Sequence, residues 1–259
     1  MRIAWSPGRR GAARASRRRA PIPRALEPRR GPSWPLVLGA VCVLALVGVL
    51  VYHMVPKYQD MAERARYLPD SDTPDPSVGI EGVERAEYAP GKHVRSPQRV
   101  AYDRSPPMGG PHDQYWAACG GMVYTVALRT ENAVHALEHG AVWITYDPCG
   151  LSAQEIAVLE GKVRGQGYML MSPYPGQPTR VSLQSWGRQL RVDRVEDRRI
   201  DQFVAALRQN PNTHPEPGAS CSVVGGFDPD DPPPFQPDPP GPDAVPVDTA
   251  PAPSTTPTP

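Results

Sequence analysis

The chain reads as an α+β protein: a single mixed α/β extracytoplasmic domain behind one N-terminal transmembrane helix, with disordered termini. Three observations predict this. An uninterrupted apolar run extends from Trp34 to Val55. Between residues 80 and 225, β-rich runs and helical periodicities alternate without a regular βαβ repeat. Outside these segments, the first residues are dominated by arginine and the last by proline, compositions that cannot bury a core.

Residues 1–33 carry ten arginines and one acid, Glu27, and read as a basic disordered segment. The apolar run that follows, residues 34–55, matches the ~20 helical residues that cross a ~30 Å hydrocarbon layer. Trp34 and Tyr52 lie near its ends, where amphipathic rings favour the interface. A signal peptide fits less well, because its apolar region spans roughly 7–15 residues and no small-x-small cleavage site follows here. Beyond the span, Lys57, Arg64 and Arg66 are mixed with Asp60 and Glu63. The arginine block is stronger, so the N-terminus is expected in the cytoplasm and the rest outside a cell membrane crossed once. The arginines then set topology. This reading is favoured over nucleic-acid binding, and no nucleic-acid partner is expected.

Residues 56–79 read as a charged stalk followed by a Pro/Asp-rich linker, and residues 226–259 as a Pro-rich disordered tail. Residues 80–225 are long enough for one domain with its own core. Within it, G-V-E-R-A-E-Y and R-V-A-Y are short strand candidates. A-V-W-I-T-Y (141–146) is a stronger one, being β-branched and aromatic. Ser152 opens S-A-Q-E, a capping box, with Ile156, Leu159 and Val163 at helical spacing. Y-M-L-M and R-V-S-L-Q-S-W supply two more strands. Residues 188–199 alternate basic and acidic side chains and read as a solvated surface. Asp197–Arg208 closes the domain as an amphipathic helix with Ile200, Phe203, Val204 and Leu207 on its apolar face.

Potential chemistry concentrates in E-N-A-V-H-A-L-E-H-G, residues 131–140. As a helix, this segment sets His135 and His139 one turn apart on one face with Glu138 beside them, and Gly140 supplies a C-terminal stop. Two imidazoles at i, i+4 can present nitrogens to one metal ion. His112 sits in a loop whose Pro-Pro and Gly-Gly steps restrict the backbone, and can meet that face; His93 is a candidate fourth ligand. Residues 135–139 also spell H-x-x-E-H, a zinc peptidase signature that needs a further ligand, for which Glu155 and Glu160 are available. No phosphate loop, dinucleotide fingerprint or nucleophile elbow appears. The tryptophans Trp116, Trp143 and Trp186, with nearby tyrosines, read as aromatic core.

Four blocks occur in order: K-H-V (92–94), Y-D-R-S-P-P-M-G-G-P-H (102–112), V-H-A-L-E-H-G-A-V-W-I-T-Y (134–146) and S-W-G-R (185–188). In this the chain resembles the DUF3105 family of bacterial membrane-anchored or secreted proteins over roughly residues 80–217. The resemblance implies the fold and topology above and names no activity. Where the family pattern has P-P-T-S-G-P-H, this chain has Met108, a packing group or a soft thioether ligand.

The functional expectation is a membrane-anchored extracytoplasmic domain binding a transition metal, copper or zinc, through His112, His135 and His139 with Glu138 and Met108 as further candidates. Two alternatives stay open: a non-catalytic envelope interaction module with a structural histidine cluster and an envelope protein partner, and a zinc hydrolase. Cys119, Cys149 and Cys221 fall on the oxidising side, where a disulfide is expected. Three pairings are available. Cys119–Cys221 is favoured because it pins the end of the domain to its core. Cys42 lies in the span and reads as a small apolar residue.

Overall fold

The apolar segment forms the first two thirds of a continuous helix, α1 (Trp34–Ala65), which passes through Pro56. Every side chain from Trp34 to Pro56 is exposed, and the helix is long and apolar enough to cross a membrane. The computed structural model describes residues 31, 33–223, 225–247 and 249–250. The basic N-terminal segment falls almost wholly outside the described residues, as do residues 251–259 of the tail. The chain divides into two compact units, residues 1–54 and 55–259.

In the second unit the strands run in order β1 (Val83–Arg85), β2 (Glu87–Tyr88), β3 (His93–Val94), β4 (Val100–Ala101), β5 (His112–Asp113) and β6 (Gly120–Val123). Helix α2 (Thr130–Glu138) follows, then β7 (Val142–Tyr146), α3 (Ala153–Val163) and β8 (Met169–Pro173). The strands β9 (Val181–Ser185) and β10 (Arg188–Val192) precede α4 (Arg198–Leu207), and two short strands close the chain, β11 (Val245–Pro246) and β12 (Thr249–Ala250). A six-stranded mixed sheet has the order β1-β10-β9-β7-β8-β6. The pairs β7/β8 and β6/β8 are parallel and the others antiparallel. The α+β class is thus observed.

Strand periodicity divides the core in two. Val142, Ile144 and Tyr146 of β7, Met169 and Met171 of β8, and Val181 and Leu183 of β9 pack with Leu159 of α3 and Ile200, Phe203 and Leu207 of α4. The intervening Trp143 and Leu170 join a second cluster with Ala133 and Leu137 of α2 and with Met108, Tyr88 and Trp186. Each fully buried large side chain contributes roughly 1.5–3 kcal/mol. On this second face several inward residues are polar and pair internally. Trp143 Nε1 donates to Ser172 Oγ (3.0 Å), Thr145 Oγ1 to the Ser182 carbonyl (3.2 Å) and Gln189 Nε2 to the Pro106 carbonyl (2.7 Å). Helix α3 starts with the capping box read from S-A-Q-E, Ser152 and Glu155 exchanging bonds.

Residues 188–192 differ from the solvated surface expected of them. They form β10, with Leu190 and Val192 buried at strand spacing, while Arg188 and Arg191 turn to Asp75 and Glu84. The charges masked a period of two. Packing also reaches into the segment expected to be linker: Asp75 caps a 3₁₀ turn (Pro76–Gly79), Ser77 and Ile80 are buried, and Asn210 Nδ2 donates to the Pro74 carbonyl (2.8 Å). The expected disordered tail likewise makes contacts up to residue 250. Phe227 is buried, Phe235 packs on Tyr174, the Pro233 carbonyl accepts from Arg129 N (3.0 Å), and β11 pairs with β4. These prolines still accept hydrogen bonds and cover apolar neighbours, which composition alone does not reveal.

Cys119 and Cys221 form a disulfide across 102 residues. Cys149 and Cys42 are free and exposed.

Candidate metal centre

Three segments converge on the histidines. Strands β3 and β5 pair in parallel with His93 opposite His112 and Val94 opposite Asp113. The β5 strand is held by a buried ion pair between Asp113 and Arg129, and the Asp113 carboxylate also accepts from Ser96 Oγ (2.7 Å) and Tyr115 N (2.8 Å). Upstream, the loop P-P-M-G-G-P needs its glycines. Gly109 has φ +158° and a Cβ there would stand 2.5 Å from the Tyr88 ring. This loop meets the S-W-G-R block: Gly187 N donates to the Met108 carbonyl (2.7 Å) and Trp186 sets its edge on His112.

Helix α2 contributes His135 and Glu138, at i and i+3 and so on one face. Eight of its nine residues are Ala, Leu, Val, Asn, Glu or His, and everything from Glu131 to Glu138 is buried. The helix stops at Glu138, making His139 its C-cap, and Gly140 turns the chain at φ +88°. A Cβ at Gly140 would sit 2.6 Å from His214 Nε2. Gly140→Ala therefore combines backbone strain with a steric clash and should cost about 1–3 kcal/mol. Urea unfolding of the two chains measures this; an unchanged midpoint would mean that the turn relaxes freely.

One ligand atom from each of His93, His112, His135 and Glu138 lies within 4.8 Å of the others. His112 and Glu138 are fully buried, His135 is 3% exposed, and His93 stands at the surface. A second set, His135, His139 and Glu216, meets the same criterion. The structure thus brings together four of the sequence candidates, His93, His112, His135 and Glu138. It places His139 in the adjoining set. Met108 is fully buried in the second apolar cluster. Glu155 and Glu160, the extra ligands a peptidase would need, lie on α3 paired with Arg180 and Arg164 and belong to neither set.

The ring tautomers follow from the main chain. Nδ1 of His112 faces the Gly110 carbonyl (2.8 Å), that of His135 the Asp113 carbonyl (2.6 Å), and that of His139 the Ser220 carbonyl (2.8 Å). A carbonyl only accepts, so each Nδ1 carries a proton and each Nε2 keeps the other role. Metal-ligating histidines are oriented in the same way. His112 Nε2 and Glu138 Oε2 are 2.8 Å apart. They are nonetheless not aligned as a hydrogen bond, and both count among the buried polar atoms without one. A buried ring nitrogen 2.8 Å from a carboxylate oxygen calls for positive charge at this point, either a proton on the ring or a bound cation. An ion tolerates the bent approach that a hydrogen bond does not. The other carboxylate oxygen, Oε1, accepts from Gly91 N (2.7 Å).

Burial disfavours the charged form of His135, and His112 and His139 add to it, bringing its pKa down to about 3. Burial likewise lowers the pKa of His139 and of His214. Burial would raise that of Glu138, but His112, the Gly91 N–H and His135 outweigh it and lower it. His135, His139 and His214 are therefore neutral in the folded state near neutral pH, and for the first two this is the form a ligand takes. The stability they contribute is complete above their unfolded value, near 6.5, and is lost as pH falls toward 3, because the unfolded chain then binds protons that the folded one refuses. The metal-free chain should lose about 3 kcal/mol through His135 alone between pH 7 and pH 4. Denaturant unfolding at the two values tests this, and equal stabilities would contradict it.

The profile of a family described as protein of unknown function, DUF3105, matches residues 93–223. The chain belongs to the DUF3105 family. No curated protein and no solved structure matches it. The matched DUF3105 region begins at His93 and ends just beyond the disulfide at Cys221, so it holds both histidine sets.

His214, Glu216 and the Ser220 carbonyl have no counterpart in the sequence reading. The signal for the first two is the short H-P-E run seven residues before Cys221, which meets the end of α2 at the Glu138 carbonyl.

Proposed function

We propose that this DUF3105 domain holds one transition-metal ion, zinc(II) or copper(II), on the outer side of a membrane in which α1 anchors it. The observation that carries the reading is the convergence of His93, His112, His135 and Glu138, with the Nδ1 atoms of His112 and His135 engaged by carbonyls and His112 Nε2 and Glu138 Oε2 buried without aligned partners. Three imidazoles and a carboxylate suit a four-coordinate N/O site with bonds of ~2.0–2.2 Å. The arginine block before α1 supports a cytoplasmic N-terminus, and the disulfide supports an oxidising surrounding for the domain. With four protein ligands the site is closed, which favours holding or delivering the ion over hydrolysis.

The close His112–Glu138 contact favours a second reading, a buried ion pair that fastens β5 to α2 in an envelope interaction module. Metal analysis separates the two. The full chain, purified in detergent without a polyhistidine tag, should carry near one equivalent of metal, lose it to chelator and take up zinc(II) again with a rise in unfolding temperature. A metal-free chain that takes up neither zinc(II) nor copper(II) overturns metal binding and leaves the ion pair.

A further inference from the structure

The two histidine sets share one residue. His135 stands with His93, His112 and Glu138 in the first and with His139 and Glu216 in the second. Its Nδ1 is committed to the Asp113 carbonyl at 2.6 Å, which leaves Nε2 as its single donor atom. His139 is limited in the same way, with Nδ1 on Ser220 O and Nε2 3.3 Å from Glu216 Oε2. One nitrogen lone pair cannot bind two ions, so filling one position empties the other of a ligand. The positions open differently. The first reaches solvent at the exposed His93, whereas Glu216 leaves 46% of its side chain exposed beside the nearly buried His139. Trp116 packs its ring against both His135 and His139, with centroids 5.3 and 4.6 Å away.

We infer that His135 serves two positions in turn, so that a single divalent transition-metal ion passes between an inner site at His93, His112 and Glu138 and a hand-off site at His139 and Glu216. This rests on the metal-binding reading above and adds to it a route: the ion is exchanged at the Glu216 side by ligand substitution at His135, with no change of oxidation state. The substrate of the process is the ion itself, and the partner is whatever ligand-bearing molecule takes or gives it at Glu216.

Cobalt(II) is the probe, read by its visible ligand-field bands, with the full chain in detergent. Glu216→Ala removes an exposed side chain but keeps the backbone N–H that donates to the Glu138 carbonyl (3.2 Å), so the fold is retained. The wild-type chain should saturate at one cobalt(II). Glu216→Ala should also bind one, yet transfer it to an added chromophoric chelator about tenfold more slowly. Saturation at two ions, or equal transfer rates in the two chains, overturns the hand-off while leaving metal binding intact. So does slowing by His93→Ala alone, since exchange would then run through the inner opening. Failure of every chain to bind cobalt(II) or zinc(II) overturns both readings.

Discussion

In a His135→Ala chain the affinity for zinc(II) falls by about 100-fold or more, and the metal carried by the wild-type chain is absent after purification. His135 is the only residue common to both candidate sets. It is also nearly buried, so no solvent-exposed group stands in for it. His112→Ala should act as strongly, because its ring is wholly enclosed and faces Glu138 at 2.8 Å. His93→Ala should be milder, about tenfold, because His93 is exposed and water can take its place. The ranking separates a metal centre from a histidine staple. Competition against a chromophoric chelator gives the three affinities, and circular dichroism confirms that each chain is folded. Wild-type affinity in folded His135→Ala would show that the ion, if bound, sits elsewhere.

The Cys119→Ser/Cys221→Ser chain is expected to lose about 2–5 kcal/mol of stability, read from urea unfolding. The cross-link closes 102 residues and so removes a large share of the unfolded chain's freedom. Its local role adds to this. The segment ending at Cys221 carries His214, Glu216 and the Ser220 carbonyl that orients His139, and Cys119 N donates to the Cys221 carbonyl (3.1 Å). The second histidine set should therefore loosen with the disulfide, while the first, built from β3, β5 and α2, keeps zinc(II). Retained stability in the double variant would mean that residues 214–221 dock through their own contacts alone.

Local signals told the sequence reading most. The span, the capping box of α3, the strand at 142–146 and the apolar face of α4 are each set by neighbours within a turn or two. The hidden elements depend on distant partners. β10 looks solvated until Asp75 and Glu84 are seen taking its arginines. The pairing of His93 with His112 is a matter of strand register, which spacing does not encode. Helical geometry correctly placed His135 and Glu138 together. It also set His139 beside His135, where their ring centroids are 4.7 Å apart, but did not reveal the grouping with Glu216, because the segment whose Ser220 carbonyl orients His139 lies 81 residues away. The choice among the three cysteine pairings was likewise a question of tertiary distance.

The rings of His112, His135 and His139 are all aimed by peptide carbonyls, those of Gly110, Asp113 and Ser220. A carbonyl is present whatever side chain its residue bears. Substitution at Ser220 can therefore leave the His139 ring where it is, and the orienting groups cannot be deleted by a point mutation, only displaced by a shift of the chain. The geometry of this centre is thus inherited with the backbone path, which lets nearby side chains drift and retune affinity without losing the aim of the ligands.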